Sequence, residues 1–158
     1  MIESISHITF IVKDVGRSAN LYRSIFGAQE VYDSAQKNFS VAYEKFLLIG
    51  GTWVAIIEGD PASERSYNHV AFKVSESDLK EYIEKIRKFG LDIVEGRSRI
   101  EGEGRSVYFY DFVNHLFELH TGTLSERLSS YREYALHQPA TAAESVSSPE
   151  SGNITCKK

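Results

Sequence analysis

Two histidines and one glutamate have the residue types and the spacing that a metal site needs. His7 and His69 begin matching apolar runs, Ser-His-Ile-Thr-Phe-Ile-Val and Asn-His-Val-Ala-Phe-Lys-Val. Glu118 lies 49 residues after His69, whereas Ile56 lies 49 residues after His7, so one repeat alone carries a carboxylate. Each histidine alone would be an ordinary strand residue. Two imidazoles and one carboxylate leave coordination positions open and suit zinc, iron(II) or manganese, so the sequence predicts one metal site.

An internal repeat positions these residues. Each histidine-containing run precedes a segment that ends in Phe-Gly, and the glycine follows the histidine by 20 residues in one half and 21 in the other. Both segments show the helical period of about 3.6 residues, and each glycine stands where a left-handed C-cap is expected. Three extended runs follow each glycine, at about residues 29–35, 39–49 and 52–59, and at about 91–97, 105–111 and 115–121.

The repeat predicts an α+β fold of tandem βαβββ modules with a C-terminal helix. The modules span about residues 1–60 and 66–122, and the helix spans about 123–135, beginning with a Thr-x-x-Glu capping box. Two four-stranded sheets with one helix each cannot close separately. We therefore expect them to pair, within the chain or across a dimer, and to enclose a shared cavity in a domain of residues 1–133.

Polar side chains gather on the strand faces that point away from the helices. A solvated face would be richer in Lys and Glu, and a dry core would not hold such groups unpaired. The alternation of the strands therefore favours a polar site on these faces. Its candidate residues are His7, Thr9, Tyr67, His69, Ser106, Tyr108, Tyr110, Glu118 and His120.

Composition excludes several classes of protein. The 158 residues carry a formal net charge of −4 without a basic cluster, which disfavours nucleic-acid binding. The single cysteine, Cys156, excludes an internal disulfide framework and a cysteine-rich zinc site. We find neither a membrane-spanning run nor a signal peptide and expect a cytoplasmic protein. Residues 137–158 lack aromatic side chains and contain two of the three prolines, so we expect a disordered tail there.

The sequence resembles the vicinal oxygen chelate superfamily, which includes glyoxalase I, extradiol dioxygenases and fosfomycin-resistance proteins. It most closely resembles the fosfomycin-resistance epoxide hydrolases of the FosX type. The resemblance covers about residues 1–133. It is carried by the stretches SHITFIVKD, FSVAYEKFLLIGGTWVAIIEGD, ERSYNHVAF and EGEGRSVYFYDFVNHLFELHTGTLSERL.

The resemblance implies a cofactor, an assembly and a reaction. Manganese(II) would bind at His7, His69 and Glu118 in a homodimer with exchanged modules, His7 coming from one subunit and the other two ligands from its partner. The implied substrate is fosfomycin, a small epoxide that bears a phosphonate. These hydrolases add water at C1 and give 1,2-dihydroxypropylphosphonate, whereas the related transferases use a thiol.

The resemblance also assigns roles to single residues. Glu44 would be the general base that takes a proton from the attacking water, although by itself it is an ordinary strand glutamate. Arg97, Arg99 and His120 are further candidates whose roles the resemblance leaves open. A two-glycine loop at residues 102–105 would close over the phosphonate. The residues implied for substrate binding are Thr9, Tyr67, Ser106, Tyr108 and Arg127, with Trp53 as an aromatic wall.

Other functions compete with this interpretation. A thiol transferase would open the same epoxide, but Glu44 argues against it. A metal-free protein that sequesters a drug would not need the three candidate ligands. An extradiol dioxygenase would share the metal ligands, but such enzymes are usually larger, and the phosphonate-binding residues would be unexplained.

Overall fold

The computed structural model describes residues 1–35 and 40–137, which form two βαβββ modules and a final helix. The first module comprises β1 (His7–Val12), α1 (Val15–Phe26), β2 (Gln29–Asp33), β3 (Glu44–Ile49) and β4 (Thr52–Glu58). The second comprises β5 (His69–Lys73), a 3₁₀ turn (Glu76–Asp78), α2 (Leu79–Lys88), β6 (Ile93–Val94), β7 (Ser106–Tyr110) and β8 (Leu116–His120). The last helix is α3 (Leu124–His137).

The two sheets have the same topology, which confirms the predicted α+β repeat. The strand orders are β1-β4-β3-β2 and β5-β8-β7-β6, and in each sheet the first strand of the module pairs in parallel with the last. The other neighbouring strands are antiparallel. Each module therefore presents one face of its sheet to its helix and leaves the opposite face open.

Several predicted boundaries were wrong. The strand expected at 39–49 begins at Glu44, and residues 36–39 lie outside the described residues. The strand expected at 91–97 is reduced to Ile93–Val94, and beyond it the Arg97 side chain pairs with Glu103. His137 ends α3 and does not begin the tail, and residues 138–158 lie outside the described residues.

Local signals explain how the helices begin and end. The carboxylate of Asp14 accepts a hydrogen bond from the Arg17 amide at 2.8 Å and caps the first turn of α1. Gly27 ends that helix with a φ of 66°. Thr123 and Glu126 form the predicted capping box before α3, since each side chain bonds the other residue's backbone amide.

An aromatic cluster joins the two modules. Phe117 of β8 is fully buried, and its ring lies 5.1 Å from that of Phe26 and 5.5 Å from that of Tyr22, both on α1. The Tyr22 hydroxyl donates to Asp111 in the β7–β8 turn at 3.2 Å. Burial, and then the Asp111 charge, raises the pKa of Tyr22 well above its usual value. The helix-bearing sides of the modules thus share one core.

We expect Phe117→Ala to destabilise the protein by about 3–5 kcal/mol, because it removes the ring at the centre of this shared core. Phe117→Leu is the matched control, and it should cost less than half as much since it keeps most of the buried volume. Urea unfolding of the three proteins measures both values. Equal and small losses for the two variants would contradict a shared core centred on this ring.

Candidate metal centre

The open face of the second sheet gathers polar side chains, as the strand alternation predicted. Glu118 on β8 is paired in register with Tyr108 on β7 and with Ala71 on β5. His69 therefore lies on the same face as Glu118, two positions along β5 from Ala71. Ser106 pairs with His120 and extends the polar face by a further two residues.

His69 and Glu118 form the core of the candidate site. The Nδ1 of His69 lies 2.7 Å from the carbonyl oxygen of Tyr67, which can only accept, so Nδ1 carries the hydrogen. In the neutral imidazole, Nε2 then offers a lone pair, and it lies 3.0 Å from Oε2 of Glu118. Two facing lone pairs repel each other, and a cation between or beside them removes this repulsion. A backbone carbonyl on the second nitrogen is the usual arrangement around a metal-binding histidine, so this donor set fits a divalent metal ion.

Several groups keep Glu118 ionised. Burial raises its pKa, but hydrogen bonds from Ser106 and Tyr108 and the charge of Arg99 hold the pKa below the ordinary value for a glutamate. His120 lies 3.6 Å from Oε1, and burial, with the Arg99 charge, lowers the pKa of its imidazole. The carboxylate is thus ready to bind a cation at neutral pH.

Arg99 reaches this centre from the loop before β7. Its Nη2 donates to Glu118 Oε1 at 2.8 Å and to the Ser106 hydroxyl at 2.6 Å. The Tyr108 hydroxyl lies 3.1 Å from the same nitrogen. Sequence analysis left Arg99 without a role, and the structure places it in contact with three candidate site residues.

Arg127 and Tyr67 lie at the edge of the same region. A cavity of about 270 Å³ is lined by His69, Glu118, His120 and Arg127, together with residues at the start of α3. The Tyr67 ring is 55% exposed, with its centre 5.1 Å from that of His69. An anionic group bound beside the metal ligands would meet the guanidinium of Arg127.

Glu103 is a buried carboxylate that sequence analysis missed. It lies in the two-glycine loop, accepts from Arg97 Nη1 at 3.0 Å and from the Ile100 amide at 2.8 Å, and is fully buried. The flanking Gly102 and Gly104 have φ values of 84° and 77°. These two glycines were the one signal of this tight loop in the sequence, because a backbone turn with positive φ favours glycine. The loop is therefore anchored inward by its own carboxylate.

The remaining candidate residues lie on the open face of the first sheet. His7 pairs in register with Trp53, and their ring centres are 4.3 Å apart. Thr9 lies two residues further along β1 on the same face. Glu44 begins β3 opposite Ile57, which is itself opposite Ile11, so it shares this face and is buried.

The ten candidate residues thus fall into two groups. In residues 1–35 and 40–137 of a single chain, no three His, Cys, Asp or Glu side chains are close enough to hold a metal ion. One chain brings His69 and Glu118 together, and His7 lies on the other sheet. The first-sheet group is His7, Thr9, Glu44 and Trp53, and the second-module group is Tyr67, His69, Ser106, Tyr108, Glu118 and Arg127.

Comparison with known proteins identifies the class. The family described as Glyoxalase/Bleomycin resistance protein/Dioxygenase superfamily matches residues 4–119. The chain therefore belongs to that superfamily, and its paired βαβββ modules are explained by this membership.

Individual relatives confirm the resemblance to the FosX type. The fosfomycin resistance protein FosX of Listeria monocytogenes is 53% identical over 133 residues, which are 84% of this chain and 100% of the relative. The metallothiol transferase FosB of Staphylococcus saprophyticus is 37% identical over 141 residues, or 87% of this chain and 89% of the relative. A crystal structure of a variant FosX from Listeria monocytogenes, complexed with Mn(II) and 1S,2S-dihydroxypropylphosphonic acid, superposes with a TM-score of 0.76. It is 49% identical and covers 83% of this chain and 99% of its own.

Among the described residues, no helix is long and apolar enough to cross a membrane.

The buried Glu103 predicts a pH dependence of stability. Hydrogen bonding from Arg97 lowers the pKa of Glu103 from 4.5 to about 2, although burial opposes the shift. Its stabilising contribution is therefore complete above about pH 4.5 and is lost as the pH falls toward 2. We expect Glu103→Gln to cost about 2–3 kcal/mol at pH 7, since it removes the charge from a buried pair.

Urea unfolding at pH 7 and at pH 3 measures this effect. The difference between Glu103→Gln and the unmodified protein should shrink at the lower pH. Glu101→Gln, at an exposed position of the same loop, is the control and should change stability little at either pH. A difference that stays constant between the two pH values would contradict the ionised pair.

Proposed function

We propose that this protein hydrolyses the epoxide of fosfomycin, adding water at C1 to give 1,2-dihydroxypropylphosphonate, and thereby confers resistance to the antibiotic. The observation that carries the proposal is the approach of His69 Nε2 to Glu118 Oε2, 3.0 Å apart beside the Arg99 guanidinium. Such a site accommodates a divalent cation and an anion together. The structure of the FosX relative contains Mn(II) and a diol of the kind that this reaction produces.

Manganese(II) is the cofactor of the proposed reaction. His69 and Glu118 would supply two ligands, and His7 would supply the third. When bound, Mn²⁺ acts as a Lewis acid that draws electron density from the epoxide oxygen. The hydrogen bonds from His69 to the Tyr67 carbonyl and from Ser106 to Glu118 would hold both ligands in orientation.

A homodimer with exchanged modules would complete the site. Within one chain, the aromatic cluster around Phe117 joins the helix-bearing sides of the modules and leaves both polar sheet faces uncovered by a helix. A second copy would place its first-sheet face, with His7, Thr9, Glu44 and Trp53, against the second-module group. In a twofold dimer this arrangement forms two equivalent sites.

Glu44 would act as the general base. Its carboxylate would take a proton from a water molecule while the water oxygen forms a bond to C1 and the C1–O bond of the epoxide breaks. The electron pair of that bond stays on the ring oxygen, which later receives a proton. Glu44 is 6% exposed and lies on the same sheet face as His7 and Thr9, so its carboxylate would be held next to the bound epoxide.

The phosphonate would be held by hydrogen-bond donors and positive charge. Arg127 lines the cavity next to Glu118 and would donate to the phosphonate. The hydroxyls of Ser106 and Tyr108 lie beside Glu118, and each would donate to the phosphonate in exchange for its hydrogen bond to that carboxylate. Thr9 of the second copy and Tyr67 would add further hydroxyls, and Trp53 would contact the apolar carbons. Charge-assisted bonds of this kind fix the epoxide relative to the base.

Phosphorus NMR of fosfomycin with the purified protein and Mn²⁺ tests the function. We expect conversion to the diol without added thiol and no conversion when a chelator is present. Conversion that requires a thiol would move the protein to the thiol transferases, and a chelator-insensitive binder without turnover would be a sequestering protein. We also propose a cytoplasmic location, which cell fractionation with an antibody against the protein tests.

The Glu44→Gln variant tests the base directly. We expect diol formation to fall by about 10²–10⁴-fold, because the proton acceptor is lost while the shape of the side chain is kept. Mn²⁺ binding, measured by electron paramagnetic resonance, should remain unchanged. Glu58→Gln, at an exposed position of the same sheet, is the matched control and should retain activity. Full activity of Glu44→Gln would contradict its assignment as the base.

Mixing two inactive variants tests the exchanged dimer. His7→Ala and His69→Ala should each abolish hydrolysis, since each removes a ligand from both sites of its homodimer. After co-refolding, half of the dimers are mixed, and each contains one intact site, so activity should return to about a quarter of the unmodified level. If the site formed within one chain, mixing would restore nothing.

A further inference from the structure

One side of the final helix, α3, is apolar and uncovered. Four residues at helical spacing share this side, namely Leu124, Leu128, Tyr131 and Ala135. All four are exposed, Leu124 by 72% and Leu128 by 42%, whereas Ser130 alone is buried within this helix. Among residues 1–35 and 40–137 of one chain, nothing therefore covers these four side chains, which we call the α3 stripe.

The α3 stripe borders the candidate metal centre. Leu124 lines the same cavity of about 270 Å³ as His69, Glu118 and Arg127. Arg127 immediately precedes Leu128 on the helix. A segment that lies on the stripe would therefore hold the part of the helix that carries Arg127.

A second exposed apolar segment immediately precedes β1. Within residues 1–5, which we call the N-terminal segment, Ile2 is 92% exposed and Ile5 is 75% exposed. Both this segment and the α3 stripe are exposed in the same chain, so the segment does not cover the stripe of its own chain. Apolar surfaces gain free energy when contact removes them from water, and exposed ones mark sites of association.

The proposed metal site brings these two surfaces together. His7 of a second copy would bind the metal at His69 and Glu118, and Ile5 precedes that histidine by two residues. Two residues of extended chain span at most about 7 Å. Ile5 of the second copy would therefore lie next to the small cavity that Leu124 lines.

We propose that the N-terminal segment of one copy docks on the α3 stripe of the other copy and thereby holds Arg127 at the phosphonate. The inference rests on the proposed function, because it uses the metal site that two copies share. Each copy supplies both His7 and an apolar clamp to the site of its partner. Ile5 is a positioning residue, since it contacts α3 and acts on the substrate only through Arg127.

Chemical cross-linking tests the contact itself. Cys156 is the one cysteine of the sequence, so Cys156→Ser gives a background without thiols. In that background, chains with Ile5→Cys are co-refolded with chains that carry Leu128→Cys and are treated with a short bismaleimide. We expect a covalent dimer that neither variant forms alone. Glu133→Cys, on the opposite side of α3, replaces Leu128→Cys in the matched control and should cross-link poorly.

A mixed dimer shows on which copy the N-terminal segment acts. Pairing His7→Ala chains with His69→Ala chains leaves one intact site, which uses His7 of the His69→Ala chain and Arg127 of the His7→Ala chain. Ile5→Ser on the His69→Ala chain should raise the KM for fosfomycin about fivefold with little change in kcat, because Arg127 is held less firmly. On the His7→Ala chain, where Ile5 faces the inactive site, the same substitution should not change the KM.

The outcomes separate this inference from the proposed function. Equal KM values in the two mixed dimers, or no cross-link at Leu128→Cys, would overturn the docking, while diol formation by the unmodified protein would leave the hydrolase assignment intact. A cross-link from Leu128→Cys to a retained Cys156 would assign the stripe to residues 138–158 and overturn it as well. If mixing His7→Ala with His69→Ala restores no activity, the exchanged dimer of the proposed function also fails.

Discussion

The site depends on two acceptors that face each other, Nε2 of His69 and Oε2 of Glu118. A carbonyl fixes the hydrogen on the far side of the imidazole, and the Arg99 charge and neighbouring hydroxyls keep the carboxylate ionised. Positive charge nearby stabilises such an arrangement, and Arg99 supplies it at 2.8 Å from Glu118. The same electrostatic demand makes the site suitable for a cation and for an anion that binds with it.

The His69–Glu118 pair lies on an open sheet face because the aromatic cluster that joins the modules packs on the opposite, helix-bearing side of the sheets. The rings of Phe26, Tyr22 and Phe117 join the two modules through their helix-bearing sides. The polar faces therefore point away from the shared core. The proposed exchange of modules between two copies follows from this division between apolar and polar faces.

The sequence predicted the repeat and the alternation of the strands, because both are periodic and local. Register then placed Glu118, Tyr108 and His69 on one face as expected. The sequence did not predict the positions of Arg99 and Glu103. Both lie in the loop between β6 and β7, where the apolar residues show no period and where the ion pairs Arg97–Glu103 and Arg99–Glu118 orient the side chains. Glu44 was found through resemblance alone, since a strand glutamate has no distinctive local pattern.

Anomalous diffraction at the manganese edge, from crystals grown with Mn²⁺, tests the central claim most directly. The account predicts one anomalous peak per subunit, within bonding distance of His69 Nε2 and Glu118 Oε2, with the imidazole of His7 from a second copy as the third ligand. A peak at a different place, or a metal bound by His69 and Glu118 with His7 distant in every copy, would contradict it.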